Sequence, residues 1–191
     1  MKVRGGALAG ALLLGALGPA CATSADLLPA CPGYPAILVL AAQAVPSATV
    51  LPCVSDLPAG WSFSGSETID GRFRFWLDSD RAGIHAVQVT LVRDCDTSDA
   101  VEVTPDADEV GTRRYERPLR LPPGFAADRY YTFPGGCVDV AFRFQGRADP
   151  ALVLQANQAL SFRPREPGVQ KLADLGLVLC GAGAPECPGG D

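Results

Sequence analysis

Short stretches of strict apolar–polar alternation, separated by turn residues, dominate the middle of this chain. In Arg72 to Asp78, Phe73, Phe75 and Leu77 fall on one face and Arg72, Arg74 and Trp76 on the other, the period-two signature of a half-buried strand. Trp61 to Thr68 precedes it across Asp70-Gly71, which predicts a tight hairpin. Ala86 to Val92 continues the pattern, with Val87, Val89 and Leu91 inward. Arg129 to Phe133 and Val138 to Phe144 form another expected pair around Pro134-Gly135-Gly136, with Val138, Val140, Phe142 and Phe144 on one side. Thr49 to Val54 reads as a strand. So does Arg113 to Leu121, which Pro118 confines to an edge or a bulge.

The period changes in two places. Ala36 to Ala44 is a solid apolar run behind Pro35; proline at a first helical position suggests a short buried helix, although a core strand fits the same run. Asp149-Pro150 opens a helix over Ala151 to Phe162, with Leu152, Val153, Ala156, Ala159 and Leu160 as the buried stripe and Gln155, Asn157 and Gln158 toward water. A strand and a helix are expected in the tail. The fold class is therefore α+β: a mostly antiparallel β-sheet with one or two packed helices, stabilised by disulfides.

The first residues change the picture from architecture to address. Lys2 and Arg4 precede an apolar run from Ala7 to Leu17, which Gly18-Pro19-Ala20-Cys21 closes. This is the layout of an export signal, with a run too short for a stable membrane span. Cleavage before Cys21 would leave that cysteine to carry lipid, as in a lipoprotein, although Gly18 stands where the usual lipobox has leucine. Ordinary cleavage would use Ala20-Cys21-Ala22 or Thr23-Ser24-Ala25, and an uncleaved anchor is the third route. The expected organisation is an export signal over 1–22, a tether over 23–30, one domain over 31–180 and a loose tail over 181–191.

Charge and cysteine usage agree with that address. The chain has 16 basic against 21 acidic residues and a formal charge of −5. Two of the basic residues lie in the signal, so the remainder is more acidic still. No basic footprint for nucleic acid exists. Of seven cysteines, Cys21 is lipidated or discarded, leaving Cys31, Cys53, Cys95, Cys137, Cys180 and Cys187. In an exported chain these read as three disulfides whose connectivity spacing alone does not decide. The short loop favours Cys180–Cys187, and Cys31–Cys53 with Cys95–Cys137 is the favoured remainder. With a single histidine, His85, and no C-x-x-C pair, neither a metal nor another cofactor is expected.

No catalytic set stands out. A serine nucleophile lacks its usual context, and His85 is an ordinary loop or strand-edge residue on this reading. Asp78 and Asp80, with Glu67 or Glu116, are the carboxylates a hydrolase would have to use. The acidic loop from Asp94 to Glu109 faces a basic strand carrying Arg113, Arg114, Arg117 and Arg120; a small-ligand sensor beneath that loop is a lesser reading. The candidate ligand-binding residues are Arg72, Arg74 and Trp76, with Trp61, Tyr130 and Tyr131 expected nearby. Such a surface suits sugar rings or anionic wall polymers through stacking and charge-assisted hydrogen bonds.

Several segments carry a resemblance: Val50-Leu-Pro-Cys53 with Leu57-Pro-Ala-Gly-Trp61, Gly71 to Gly83 (GRFRFWLDSDRAG), Arg114-Tyr-Glu-Arg117, and Tyr131-Thr-Phe-Pro-Gly-Gly-Cys137. Over roughly residues 36–163 the chain resembles a family of actinobacterial exported or membrane-associated proteins, lipoproteins among them. The resemblance implies a compartment and no chemistry. The expectation is a non-enzymatic envelope protein, lipid-anchored at the outer face of the cell membrane or secreted. Its expected partners are the membrane, through anchor or signal, and a wall polymer or envelope protein. The alternative is a secreted hydrolase using paired carboxylates.

Overall fold

The computed structural model describes residues 28–106, 109, 111–121, 123–146 and 149–188. Residues 1–27, where an export signal over 1–22 with Cys21 and the start of a tether were expected, lie outside the described residues. Among the described residues no helix is long and apolar enough to cross a membrane.

Seven antiparallel strands form the main sheet, in the spatial order β2 (Trp61–Ile69), β3 (Arg72–Ser79), β4 (Gly83–Val92), β8 (Gly136–Phe144), β7 (Phe125–Phe133), β6 (Arg113–Arg120) and β5 (Val101–Val103). At one edge a hairpin joins β2 (Trp61–Ile69) to β3 (Arg72–Ser79) across Asp70-Gly71. Gly71 has φ +74°, a left-handed conformation that glycine adopts without Cβ strain. β4 (Gly83–Val92) pairs with β3 and with β8 (Gly136–Phe144), which turns back through Pro134-Gly135 to β7 (Phe125–Phe133). β6 (Arg113–Arg120) follows, and the short β5 (Val101–Val103) closes that edge. The β6 register slips between Pro118 and Arg120, where the missing proline N–H is tolerated as a bulge.

One face of this sheet builds the core. Phe73, Phe75, Leu77, Val87, Val89, Leu91, Val138, Val140, Phe142 and Phe144 are all buried. Each large apolar side chain so buried contributes about 2 kcal/mol. Helix α1 (Ala36–Ala44) packs on that face through Ile37, Ala41, Ala42 and Ala44, so the apolar run is a helix and not a strand.

α2 (Pro150–Ala159) is shorter than its expected range because Leu160 leaves the helical path. Leu160 to Pro164 forms β9 instead, paired antiparallel with β1 (Val50–Val54). β-Branching and propensity did not signal this change; the free edge of β1 supplies it. Asp149 caps α2 by accepting from the Ala151 N–H at 2.9 Å. Leu152, Ala156 and Ala159 are buried as expected, whereas Gln155 and Asn157 point to partners and not simply to water.

α3 (Glu166–Asp174) completes the tail. Its interior Gly168 allows the approach of Tyr34, whose ring carbon would lie 2.1 Å from a Cβ placed there. Up to residue 188 the C-terminal stretch is held by more than a disulfide: Ala182 N–H donates to the Pro46 carbonyl at 2.7 Å, and Leu179 is buried.

Three disulfides join Cys31 to Cys53, Cys95 to Cys137 and Cys180 to Cys187, with Cα separations of 5.0, 5.9 and 4.7 Å. The first fastens the segment before α1 to β1, and the third closes the tail. The second ties the loop after β4 to the start of the neighbouring β8, where Cys137 pairs with Val92.

Candidate functional site

Alternation that buries Phe73, Phe75 and Leu77 necessarily sends Arg72, Arg74 and Trp76 to the opposite face. All three remain partly exposed, and the helices lie on the other side. Register then extends this polar face. Arg74 pairs with Thr90, Thr90 with Asp139, and Asp139 with Tyr130. Trp76 begins a parallel row through Gln88, Ala141 and Asp128 to Arg117.

Two of the aromatic residues expected near Arg74 belong to the core instead. Trp61 is buried against Phe144, with ring centroids 6.2 Å apart, and its indole N–H donates to Gln155 Oε1. Tyr131 is buried against Phe162, and burial raises its pKa. Only Tyr130 reaches the polar face, because adjacent strand residues point oppositely.

Trp76 is already engaged with its neighbours. Its indole N–H donates to Gln88 Oε1 at 3.0 Å. The Arg74 guanidinium carbon lies 5.6 Å from the indole centroid, and His85 stacks on the ring at 5.4 Å. Arg74 and Arg72 also approach Glu67, at 4.0 and 3.8 Å. A sugar ring would have to displace a guanidinium or an imidazole to stack on the indole. The edge of Trp76 and the arginines are the more accessible recognition groups. His85 has φ +50°, a conformation costly for a residue with a Cβ, and its backbone N–H is held by Asp78 Oδ1 at 2.7 Å.

Farther along the face lies an electrostatic cluster for which the sequence gives little warning. Asp128 is buried, and its Oδ2 accepts from Arg117 Nη2 at 2.8 Å while Oδ1 accepts from Arg143. Burial raises the Asp128 pKa, but these two guanidinium groups outweigh it and hold the carboxyl below its ordinary value. Arg117 also donates to the Tyr130 hydroxyl. Asp139, one diagonal step away, has no such support: burial, reinforced by the Asp128 charge, pushes it up to about 6. Its Oδ1 is buried and has no hydrogen-bond partner among the described residues. Alternation along Val138, Asp139 and Val140 could have placed Asp139 on the polar face, but not its isolation.

A pocket of about 310 Å³ opens above it, bounded by Thr90, Val92, Asp94, Cys95, Asp96, Arg117, Tyr130 and Asp139. The Cys95–Cys137 bond holds the rim over the sheet.

The carboxylates considered for hydrolysis are dispersed. Glu67 faces Arg72 and Arg74, and Glu116 faces Arg129 at 2.9 Å. Asp78 and Asp80 border an open depression with Gly60, Trp61 and Ile84. The acidic loop and basic strand do meet: Arg113 grips Glu102 at 2.8 Å, and Arg114 reaches Asp106 and Glu109 at 2.8 and 3.1 Å. No cluster of three or more His, Cys, Asp or Glu able to hold a metal is present among the described residues.

No family model matches the chain, and no curated protein matches it. Among solved structures, it is similar to a crystal structure from Bacteroides thetaiotaomicron VPI-5482, at 11% identity and a TM-score of 0.33, over 63% of this chain. The chain spans 46%, about half, of the length of that protein.

Proposed function

We propose that this chain is an exported cell-envelope protein, tethered by lipid on Cys21, whose domain binds a wall polymer or envelope protein through its open sheet face. The observation that carries the reading is the asymmetry of the seven-stranded sheet. One face is filled by α1, α2 and the β1–β9 ribbon, whereas the other leaves Arg72, Arg74 and Trp76 partly exposed. Such a face offers charge-assisted hydrogen bonds in a fixed row. The three disulfides support an oxidising compartment.

A secreted hydrolase is the second reading, favoured only by the opposite pKa shifts of Asp128 and Asp139. Both Asp128 oxygens are already committed to guanidinium groups, which argues for binding instead.

The test is co-sedimentation of the detergent-solubilised full chain with detergent-washed envelopes of the producing bacterium, which leaves no membrane for the lipid to hold. Arg72→Glu with Arg74→Glu should reduce retention by about five-fold or more while thermal unfolding stays cooperative. Retention equal to wild type would overturn the role of this face.

A further inference from the structure

α3 ends at Asp174, and Leu175, Leu177 and Val178 follow it with 69, 56 and 72% of their surface exposed. No other four-residue stretch among the described residues leaves three large apolar side chains in water. The turn has a fixed shape. Gly176 takes φ +77°, its N–H donates to the Ala173 carbonyl, and the Leu177 N–H donates to the Leu172 carbonyl, both at 2.9 Å. This pair of bonds closes the helix, and Leu172 and Leu179 on either side are buried in the core. The segment is therefore pinned at both ends while its apolar side chains face solvent, which marks a contact surface. Leu40, also exposed, lies on the side of α1 that carries Gln43, and Gln43 bonds Cys180 of the same tail.

The entry of the chain into the domain decides what can cover this turn. Seven residues separate Cys21 from Leu28, a length that spans at most about 25 Å. From there the chain follows the β1–β9 ribbon. Ala30 bridges Val54, the Gly33 carbonyl accepts from Arg163 Nη1 at 3.0 Å, and the Tyr34 hydroxyl donates to the Pro164 carbonyl at 2.9 Å. Tyr34 then lies against Gly168 of α3, about 10 Å along the helix from Leu175. A lipid on Cys21 thus holds the bilayer within reach of α3 and its turn. Through Leu172, α3 belongs to the layer packed on the core face, on the opposite side of the sheet from Arg72, Arg74 and Trp76.

We propose that the turn from Leu175 to Val178 seats in the outer leaflet beside the lipid on Cys21, as a second membrane contact that directs the open sheet face toward the wall. The inference rests on the tether reading for its choice of occupant and adds an orientation to it. Three apolar side chains bind a bilayer weakly by themselves. A short tether makes that binding an intramolecular step at high effective concentration, and stable anchoring takes a second signal besides the first lipid. Charge contributes little. Lys171 stands one turn before Leu175, while Asp174 accepts from Gln170 Nε2 at 3.1 Å and Glu166 is exposed at the other end of α3. Seating should therefore be insensitive to salt.

The experiment reconstitutes the full chain into vesicles of phosphatidylcholine and phosphatidylglycerol in equal parts, with or without brominated acyl chains, and reads tryptophan emission. Wild type carries Trp61 in the core and Trp76 on the open face, so brominated lipid should leave its emission unchanged. Leu177→Trp puts an indole on the turn, and brominated lipid should remove about half or more of the added emission, equally in low and high salt. Adding Leu175→Asp and Val178→Asp to that variant should restore it. These positions are all exposed, so folding is retained, and thermal unfolding checks it. Unquenched Leu177→Trp, quenching that survives both aspartates, or quenching of wild type would each overturn the proposal. The intact mass of the same samples reports acylation separately. Acyl mass without quenching keeps the tether and removes the seating, whereas quenching without acyl mass keeps the seating and removes the lipid tether.

Discussion

The buried guanidinium of Arg165 donates to the main-chain carbonyl of Cys180, fastening the C-terminal segment to the body of the domain. The same group reaches the carbonyls of Pro46 and Ala48 and the side chain of Gln43. Arg165 is only 1% exposed, and burial lowers its pKa. Its acceptors are neutral carbonyls with no carboxylate among them, so the charge is solvated by dipoles alone; the Pro46 carbonyl also accepts from the Ala182 N–H, and Gln43 Oε1 from the Cys180 N–H.

Arg165→Ala should therefore destabilise the protein by about 3 kcal/mol, combining a cavity with the loss of the donor to the Cys180 and Ala48 carbonyls. Arg165→Lys should recover only part of this, because one ammonium cannot span the fork. Chemical unfolding of the two variants measures the difference. Equal stability of all three proteins would show that the pin is idle.

Removing disulfides singly should give graded costs. Sequence separations of 42, 22 and 7 residues predict losses of about 4, about 3 and about 2 kcal/mol for Cys95–Cys137, Cys31–Cys53 and Cys180–Cys187. Paired Cys→Ser variants unfolded under non-reducing conditions provide the ranking. Cys95–Cys137 carries a further expectation: its loss should also alter the amide shifts of Thr90 and Asp139, because its loop forms the rim above them.

Asp139 makes stability depend on pH in a direction opposite to that of a paired carboxylate. Its folded pKa of about 6 lies above the ordinary value of 3.8, so the folded state holds the proton more tightly than the unfolded chain does. That contribution is present below about pH 4, fades as pH rises through about 6, and amounts to at most about 3 kcal/mol. Asp128, whose pKa is lowered, contributes in the other sense and is lost in acid. Asp139→Asn should raise stability near neutral pH and flatten the decline between about pH 4 and about pH 6. A parallel decline in variant and wild type would assign the dependence to another group.

Much of the sheet was legible because alternation and turn chemistry act locally. The β2–β3 hairpin, the inward faces of β4 and β8 and the bulge at Pro118 all follow from neighbours in sequence. The three disulfides also match the favoured pairing. The end of α2 was not legible: Leu160 continues the helical stripe in sequence, and only the distant β1 edge converts it to strand. The same holds for the candidate site. Arg72, Arg74 and Trp76 share a face by period alone, but Trp61 and Tyr131 point the other way, and the isolation of Asp139 depends on Arg117 and Arg143 choosing Asp128. Long-range pairing decides such details.

The measurement that tests the central proposal most directly is the intact mass of the mature protein from membrane and culture fractions, before and after reduction and alkylation. The expected result is a membrane-bound species that begins at Cys21, carries acyl mass and gains six alkyl groups only once Cys31, Cys53, Cys95, Cys137, Cys180 and Cys187 are reduced. A species retaining Met1, with thiols that alkylate without reduction, would contradict both the tether and the exported compartment.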